Sequence, residues 1–121
     1  TTEIYTLSLH DALPIWCVEQ VPVMLESTYL PNLNLPGFCR KPFVKGSLFE
    51  TLSVNYGIEI TRVSQDLRAV SADIDTSAFL SVKPGTPLLH IYLKFMTSRE
   101  HLSVYSSLLC NTSDFSIGNV L

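Results

Sequence analysis

The order of structural signals between Gly46 and Ile91 constrains the fold more than any other feature of this chain. A helix signal is followed without a break by a long strand of mixed polarity, a second helix signal, a turn and an apolar strand. Helices and strands that follow one another with short connections are typical of helices packed on an antiparallel sheet. We therefore expect an α+β fold, with an antiparallel sheet flanked by short helices.

The composition limits the number of domains and the class of partner. The chain has 121 residues, of which 46% are hydrophobic and 16% charged, and this is enough to bury one core. Its formal net charge is −3, and Arg40 and Lys41 are the only adjacent cations. Because a domain that binds nucleic acid by itself usually has a basic face, we expect no direct contact of this segment with DNA.

Cysteines and histidines show no spacing typical of a metal site. The three cysteines, Cys17, Cys39 and Cys110, are far apart and odd in number, which favours buried thiols in a reducing compartment. No apolar run is long enough to cross a membrane. These patterns predict a cytoplasmic protein that needs neither cofactor nor metal and has no membrane partner, and outside the stretch from Gly46 to Ile91 no residue pattern points to catalytic chemistry.

Two segments carry signals for the start of a helix. Ser47 and Glu50 fit the S-x-x-E capping box, in which each side chain accepts a hydrogen bond from the other residue's backbone amide. Gly57 is placed to end this helix. Asp73 is placed to cap a second, short helix over 74–80.

Five segments have the alternation or the apolar content of strands. They are residues 21–29, 58–72, 88–96, 102–110 and 114–121. The second segment changes the parity of its apolar positions between Ile60 and Val63, which predicts a bulge. Pro31 is expected to end the first strand, and residues 35–38 to form one helical turn within a proline-rich loop.

Residues 1–15 share no pattern with the rest of the chain and lack the basic start of a signal peptide. We interpret them as a foreign-looking segment. The domain itself is expected to occupy residues 16–121, truncated at its N-terminal strand.

From about Val21 to Ile117 the chain resembles the UTRA domain, the effector-sensing half of GntR-family transcriptional regulators of the HutC subgroup. The resemblance is carried by ordered stretches: Pro-Val-Met-Leu-Glu-Ser-Thr-Tyr-Leu-Pro (22–31), Gly-Ser-Leu-Phe (46–49) with Tyr-Gly-Ile (56–58), Leu-Ser-Val-Lys-Pro-Gly-Thr-Pro-Leu-Leu (80–89), and Tyr-Ser (105–106) followed by Asp-Phe (114–115). It implies a chorismate-lyase-like fold, a homodimer and a small polar effector, either a phosphosugar or an amino-acid-like metabolite. It also implies that DNA is bound only through a winged helix-turn-helix domain, which this chain lacks.

The resemblance further implies which residues bind the effector. Glu26 matches a carboxylate on a strand that lines the pocket, and Tyr105 lies on a late strand near it. Ser47, Leu48 and Phe49 match the entrance of a helix, where free amides can receive an anion. Each residue also has a structural interpretation: Ser47 as a cap, Phe49 as core, and Glu26 and Tyr105 as partly exposed strand residues.

The chain departs from the family at positions that bind anions. Relatives that bind phosphosugars carry an Arg-x-Arg pair where this chain has Pro14 and Trp16, and Val104 stands where a carboxylate is common. Two alternatives to an effector-binding domain therefore remain. One is a dimerisation module with a degenerate pocket. The other is a chorismate-lyase-like enzyme, for which the candidate substrate-holding cations are Arg62, Arg68, Lys94 and Arg99.

Overall fold

The computed structural model describes residues 4–7, 15–18, 20–31, 35–38 and 42–118. These ranges contain six strands, two α-helices and one 3₁₀ turn. They are β1 (Ile4–Leu7), β2 (Ile15–Val18), β3 (Val21–Pro31), the 3₁₀ turn (Val44–Gly46), α1 (Leu48–Tyr56), β4 (Ile60–Ser71), α2 (Ile74–Leu80), β5 (Pro87–Thr97) and β6 (Ser103–Cys110).

The described strands form one antiparallel sheet in the order β1-β3-β6-β5-β4, and β2 also pairs with β3. β1 pairs with residues 28–31 and β2 with residues 21–25, so the two short strands share one edge of β3. With its two helices, this sheet confirms the predicted α+β architecture. β3 pairs with β6, far away along the chain, rather than with the next long strand.

α1 begins where the sequence predicted, but only half of the capping box forms. The Ser47 hydroxyl accepts a hydrogen bond from the Glu50 amide at 3.2 Å. The Ser47 amide donates instead to the carbonyl of Val44 at 2.9 Å, which belongs to the 3₁₀ turn. The Val44 carbonyl therefore accepts the hydrogen bond from the Ser47 amide that the Glu50 side chain was expected to accept.

The buried hydroxyl of Thr51 fixes the approach of the chain to α1. It accepts a hydrogen bond from the Val44 amide at 2.8 Å and donates to the Ser47 carbonyl at 2.7 Å. At the other end, Gly57 adopts a left-handed conformation with φ 64° and ends the helix as predicted. Both ends of α1 are thus held in place by local hydrogen bonds.

Two apolar clusters lie on opposite faces of the sheet. The first joins α1 to the strands, and its buried members are Leu30, Leu35, Phe38, Leu52, Ile58, Leu102 and Val104. The second joins α2 to the strands, and its buried members are Leu25, Ala72, Leu80 and Leu88. Because Leu25 and Leu30 differ in parity on β3, the clusters occupy different faces, which we name the α1 face and the α2 face.

β4 forms the outer strand of the sheet on the side away from β1. Its pairing with β5 is irregular between Ile60 and Arg62, which confirms the predicted bulge. Residues 61–69 are all exposed, on both faces of the sheet. α2 follows directly and is capped by Asp73, whose carboxylate accepts the Thr76 amide at 2.7 Å.

The predicted strand over 114–121 is wrong for the part that the structure describes. Residues 114–118 are exposed and belong to no strand. The Asn111 amide donates to the Val23 carbonyl at 2.8 Å, and the Asn111 side chain then accepts the Ser113 amide at 3.1 Å. This local turn directs the chain away from the sheet.

The expectation of buried thiols holds for one of the two cysteines that are described. Cys110 is buried, and its burial raises the pKa of the thiol above the usual 9.0. Cys17 is exposed, because β2 lies at the edge of the sheet. Cys39 lies outside the described residues.

β1 falls within the segment that the sequence marks as foreign-looking, and it pairs with the end of β3. Residues 1–3 and 8–14 lie outside the described ranges. The boundary at residue 16 and the foreign origin of residues 1–15 stay predictions.

Candidate functional site

A short row of polar side chains crosses the α1 face of the sheet. Glu26 and Thr28 lie on β3, and Ser106 lies directly opposite Thr28 on β6. The Thr28 hydroxyl donates to a Glu26 carboxylate oxygen at 3.2 Å and shares a hydrogen bond with the Ser106 hydroxyl at 3.1 Å. Ser106 is only 4% exposed, so the row is anchored at its inner end and more open at Glu26.

An aromatic pair connects α1 to the same face. The ring of Phe49 lies 4.7 Å from the ring of Phe95, between ring centroids, and both side chains pack against the α1 cluster. Phe95 lies on β5 opposite Val104, one row of side chains away from Ser106. Successive rows on one face are about 7 Å apart, so Glu26 lies about 13 Å along the sheet from the row of Phe95.

The first turn of α1 stands beside this aromatic pair. The first amides of a helix have no acceptor within the helix, and they carry its partial positive charge. The Ser47 hydroxyl is already engaged with the Glu50 amide, which supports the structural interpretation of this side chain. The amides of Leu48 and Phe49 are the groups of this turn that suit an anionic ligand.

The structure separates Tyr105 from the other predicted site residues. Tyr105 lies opposite Tyr29 and Lys94, and all three belong to the α2 face. The Lys94 ammonium lies 5.9 Å from the centre of the Tyr105 ring. Glu26 belongs to the α1 face, so the expectation that Tyr105 lies near the same pocket is not met. Ser106, the next residue, takes the position beside Thr28.

A separate depression of about 400 Å³ lies beside β4, and no sequence pattern pointed to it. Its lining residues are Asp66, Leu67, Arg68, His90 and Tyr92. A ring nitrogen of His90 lies 2.7 Å from the Ser107 hydroxyl, with which it shares a hydrogen bond. Most of these side chains belong to the α2 face, so the depression is distinct from the row at Glu26.

The four cations proposed for an enzyme do not converge around Glu26. Arg62, Arg68 and Lys94 belong to the α2 face, and Arg99 lies in the turn between β5 and β6. The structure therefore does not assemble them into one anion site on the α1 face.

Two polar residues of the candidate site were missed from the sequence. Thr28 has the same parity as Glu26 on β3, which was a usable signal. Ser106 was part of the Tyr-Ser stretch, but its face depends on the pairing with β3, which the sequence does not reveal. Val104 is fully buried in the α1 cluster, so this site holds no carboxylate there.

Of the two positions that correspond to the family's Arg-x-Arg pair, Trp16 pairs with Met24 on β3, and Pro14 lies outside the described residues. Across the described ranges, no group of three or more His, Cys, Asp or Glu side chains is placed to hold a metal ion. None of the helices in those ranges is long and apolar enough to cross a membrane.

Solved structures share this fold at low sequence identity. The C-terminal domain of Yurk from Bacillus subtilis superposes with a TM-score of 0.75 at 24% identity, over 88% of this chain and 75% of that one. The effector domain of PhnF from Mycobacterium smegmatis gives 0.73 at 21% identity, over 85% of this chain and 63% of that one. A GntR-family transcriptional regulator from Enterococcus faecalis gives 0.72 at 16% identity, over 98% and 100%.

The family model of the UTRA domain matches residues 13–116 of this chain. The match covers the helices, strands β3 to β6 and both apolar clusters. It agrees with the stretches at 22–31, 46–49 and 80–89 that carried the resemblance in the sequence. This chain belongs to the UTRA domain family.

Proposed function

We propose that this chain is the effector-binding domain of a GntR-family transcriptional regulator, and that it binds a small polar metabolite on the α1 face of its sheet without reacting with it. In the whole protein, DNA is bound by a winged helix-turn-helix domain outside this chain, and the chain itself forms a homodimer in the cytoplasm. The likeness to the effector domain of PhnF and to a GntR-family regulator supports this proposal.

The observation that carries the proposal is the hydrogen-bonded row of Glu26, Thr28 and Ser106, which lies on the same face as the Phe49–Phe95 pair and begins, at Ser106, about 7 Å along the sheet from Phe95. Partly buried carboxylates and hydroxyls need hydrogen-bond partners, and the three side chains of this row supply them to one another. A row of hydroxyl and carboxylate oxygens next to an aromatic wall suits a ligand with several donors and one flat or apolar side.

Each candidate residue has a distinct role in this proposal. Glu26 accepts hydrogen bonds from an amine or hydroxyl of the effector. The amides at Leu48 and Phe49 receive its carboxylate or phosphate at the start of α1, whereas the Ser47 amide already donates to the Val44 carbonyl. The Phe49 ring covers the apolar side of the ligand. Tyr105 takes no direct part, because it belongs to the α2 face.

The chain offers amides rather than arginine side chains for the anionic group. Bidentate arginine contacts are among the strongest that phosphate receives, and the positions of the family's Arg-x-Arg pair hold Pro14 and Trp16. We therefore expect amino-acid-like effectors to compete well with phosphosugars if their carboxylate and ammonium are separated by a chain long enough to reach from the first turn of α1 to Glu26. Binding would act by shifting the balance between two arrangements of the dimer.

The proposal is tested by thermal denaturation of the purified chain with two sets of small molecules. One set pairs a hexose 6-phosphate with the free hexose, and the other pairs amino acids with their amides. A ligand at one hundred times its Kd stabilises the native state by about 2.7 kcal/mol, which is measured as a higher melting temperature. We expect stabilisation by at least one anionic member and little by its uncharged counterpart.

Matched variants locate the binding face. Glu26→Gln keeps the size of the side chain and should weaken binding of that ligand about tenfold or more, since a charged hydrogen bond contributes about 1.5–3 kcal/mol. Glu100→Gln, in an exposed turn, and Tyr105→Phe, on the α2 face, should leave the affinity unchanged. If no member of either set stabilises the folded chain, the proposed effector class is wrong and the dimerisation module with a degenerate pocket is favoured.

A further inference from the structure

The depression beside β4 lies on the α2 face, and the proposed effector site does not use it. Its volume of about 400 Å³ falls within the range of about 300–1,000 Å³ that small-molecule sites occupy. Two strands supply its walls. Arg68 on β4 lies opposite His90 on β5, and Asp66 on β4 lies opposite Tyr92 on β5. The depression therefore has a cation at one end and a carboxylate at the other.

The two charged side chains of the depression are not engaged by the rest of the domain. Within the described part of the chain, neither the Arg68 guanidinium nor the Asp66 carboxylate makes a hydrogen bond or an ion pair. The described strands place three cations on the α2 face, Arg62, Arg68 and Lys94, against Asp66 as their one anion there. This part of the surface is positive in a chain of formal net charge −3, so it favours an anionic ligand.

His90 adds a second donor beside Arg68. Its Nε2 lies 2.7 Å from the hydroxyl of Ser107, which belongs to β6. The two nitrogens of an imidazole ring point in nearly opposite directions, so Nδ1 is directed away from β6, and β4 lies on that side of β5. When the Ser107 hydroxyl donates to Nε2, the ring proton is on Nδ1. An anion held by Arg68 can then accept a second hydrogen bond from His90.

Tyr92 provides a flat surface between the two ends of the depression. Its ring centroid lies 6.3 Å from that of His90 and 6.4 Å from that of Tyr105, so the ring stands between two neighbours that fix its position. The Tyr92 side chain is nevertheless 41% exposed. An exposed ring held in this way is suited to stacking against a flat ligand.

We propose that this depression is a second ligand site, separate from the effector site, and that it binds a small aromatic acid with a hydrogen-bond donor across the ring from its carboxylate. Arg68 and Nδ1 of His90 hold the carboxylate. The Tyr92 ring stacks on the ring of the ligand, and the Asp66 carboxylate accepts a hydrogen bond from the donor.

The spacing of the two charged residues selects the shape of this ligand. Residues two positions apart on a strand lie about 7 Å apart on one face, as Asp66 and Arg68 do. The para substituents of a benzene ring are separated by a similar distance, whereas the ammonium and carboxylate of an α-amino acid share one carbon and do not span it. A singly charged carboxylate is also repelled less by Asp66 than a doubly charged phosphate.

Titration of the isotope-labelled chain with 4-aminobenzoate, followed by NMR, tests the site. Amides near residues 66–68 and 90–92 should shift saturably, with a Kd of about 1 mM or tighter. Two related compounds test the ligand groups. The uncharged 4-aminobenzamide lacks the anion, and 2-aminobenzoate has the same groups with the amine beside the carboxylate. Each should bind about fivefold or more weakly than 4-aminobenzoate.

Substitutions at Arg68 and at Tyr92 each have a matched control. Arg68→Gln should weaken binding of 4-aminobenzoate about tenfold or more, because a hydrogen bond between charged groups is lost. Arg62→Gln makes the same change on the same strand and face, far from the depression, and should leave the Kd unchanged. Tyr92→Leu should weaken binding about threefold or more, whereas Tyr92→Phe keeps the ring and should not. All these side chains are exposed, so circular dichroism should show an unchanged fold.

Asp66→Asn tests the other end of the depression through a comparison of two ligands. Benzoate has the carboxylate and the ring but no donor for Asp66. The original chain should prefer 4-aminobenzoate to benzoate about threefold or more, and Asp66→Asn should remove most of this preference. The ratio of the two affinities is the readout, because loss of the Asp66 charge favours both anions equally.

The outcomes separate this site from the proposed effector site. Glu26→Gln should leave the affinity for 4-aminobenzoate unchanged. If Glu26→Gln weakens this binding and Arg68→Gln does not, the acid occupies the row at Glu26 and the second site is wrong, while effector binding stands. Absence of saturable shifts up to about 10 mM would also overturn the second site. A chain that binds 4-aminobenzoate as expected but is stabilised by no member of the two effector sets would keep this site and lose the proposed effector class.

Discussion

Two side chains set the start of the two helices, and both were readable from the sequence. Ser47 and Asp73 each accept the amide three residues ahead, from Glu50 at 3.2 Å and from Thr76 at 2.7 Å. Such caps depend only on neighbours along the chain. The missing half of the capping box could not be predicted, because the carbonyl of Val44 that replaces it belongs to a 3₁₀ turn without a clear sequence signal.

The cap at Asp73 predicts a dependence of stability on pH. Hydrogen bonds from the backbone and side chain of Thr76 hold the pKa of the Asp73 carboxyl below its usual 3.8. The charged form therefore favours folding above pH 3.8, and this contribution is lost as the pH falls through the lower pKa of the folded state. Asp73→Asn keeps a cap that does not titrate. Its free energy of unfolding in urea should fall less between pH 6 and pH 3 than that of the original chain.

Asp75→Asn is the control for this measurement. Asp75 lies in the first turn of α2 but does not cap it, so its variant should keep the pH dependence of the original chain. If Asp73→Asn and Asp75→Asn alter the pH dependence equally, the effect comes from net charge and not from the cap.

Tyr105 shows why single site residues are hard to place from a sequence. The stretch Tyr105–Ser106 was recognised, but neighbouring residues of a strand point to opposite faces. The choice between them depends on the pairing of β6 with β3, where Ser106 faces Thr28. That pairing joins segments about eighty residues apart, and no local pattern specifies it.

At the scale of elements, local sequence signals predicted the helices and most of the long strands. The change of parity near Ile60 correctly indicated a bulge in β4, and the turn before Pro87 correctly preceded β5. The strand expected over 114–121 is wrong over 114–118, the part that the structure describes, because the side chain of Asn111 turns the chain after the last hydrogen bond to Val23. Apolar residues such as Phe115 and Ile117 suggested a strand, but both are exposed.

The end of α1 gives a prediction at this scale. Gly57 has φ 64°, a conformation that costs residues with a side chain about 1–2 kcal/mol. No atom lies within 4 Å of a Cβ built there, so Gly57→Ala tests the backbone alone. We expect Gly57→Ala to lower the free energy of unfolding in urea by about 1 kcal/mol.

Gly118→Ala is the matched control, since Gly118 has equally open space and no positive φ. It should change the free energy of unfolding by less than about 0.5 kcal/mol. Equal effects at the two glycines would contradict the role of the left-handed conformation in ending α1.

At the scale of the whole molecule, β3 contributes side chains to both apolar clusters. Leu30 belongs to the α1 cluster and Leu25 to the α2 cluster, and both lie on this one strand. The sequence predicted both helices and the strands β3 to β6, but not β1, β2 or the packing of the helices on opposite faces. That arrangement follows from the strand order, which places β3 next to β6.

We expect the two clusters to unfold together. Leu52 and Leu80 are 0% and 1% exposed, one in each cluster, and replacing either by Ala should cost about 2–5 kcal/mol. Because β3 is shared, circular dichroism and tyrosine fluorescence should report coincident thermal transitions in both variants.

Val54→Ala is the control on the same helix as Leu52. Val54 is 61% exposed, so its replacement should change stability by less than about 0.5 kcal/mol. A variant of Leu80 in which the α1 cluster melts at the original temperature would show that the two faces are independent units.

Because β6 lies between β3 and β5, a ligand bound near Ser106 on the α1 face also affects residues of β6 on the α2 face. Ser106 and Tyr105 are joined by a single peptide plane, and their side chains project to opposite faces of a fully paired strand. Because the peptide plane is rigid, a tilt that moves the Ser106 side chain also moves the Tyr105 side chain on the other face, where the Tyr105 ring lies near Lys94 and Tyr92. The two faces of the domain are thus mechanically coupled over the length of one amide bond.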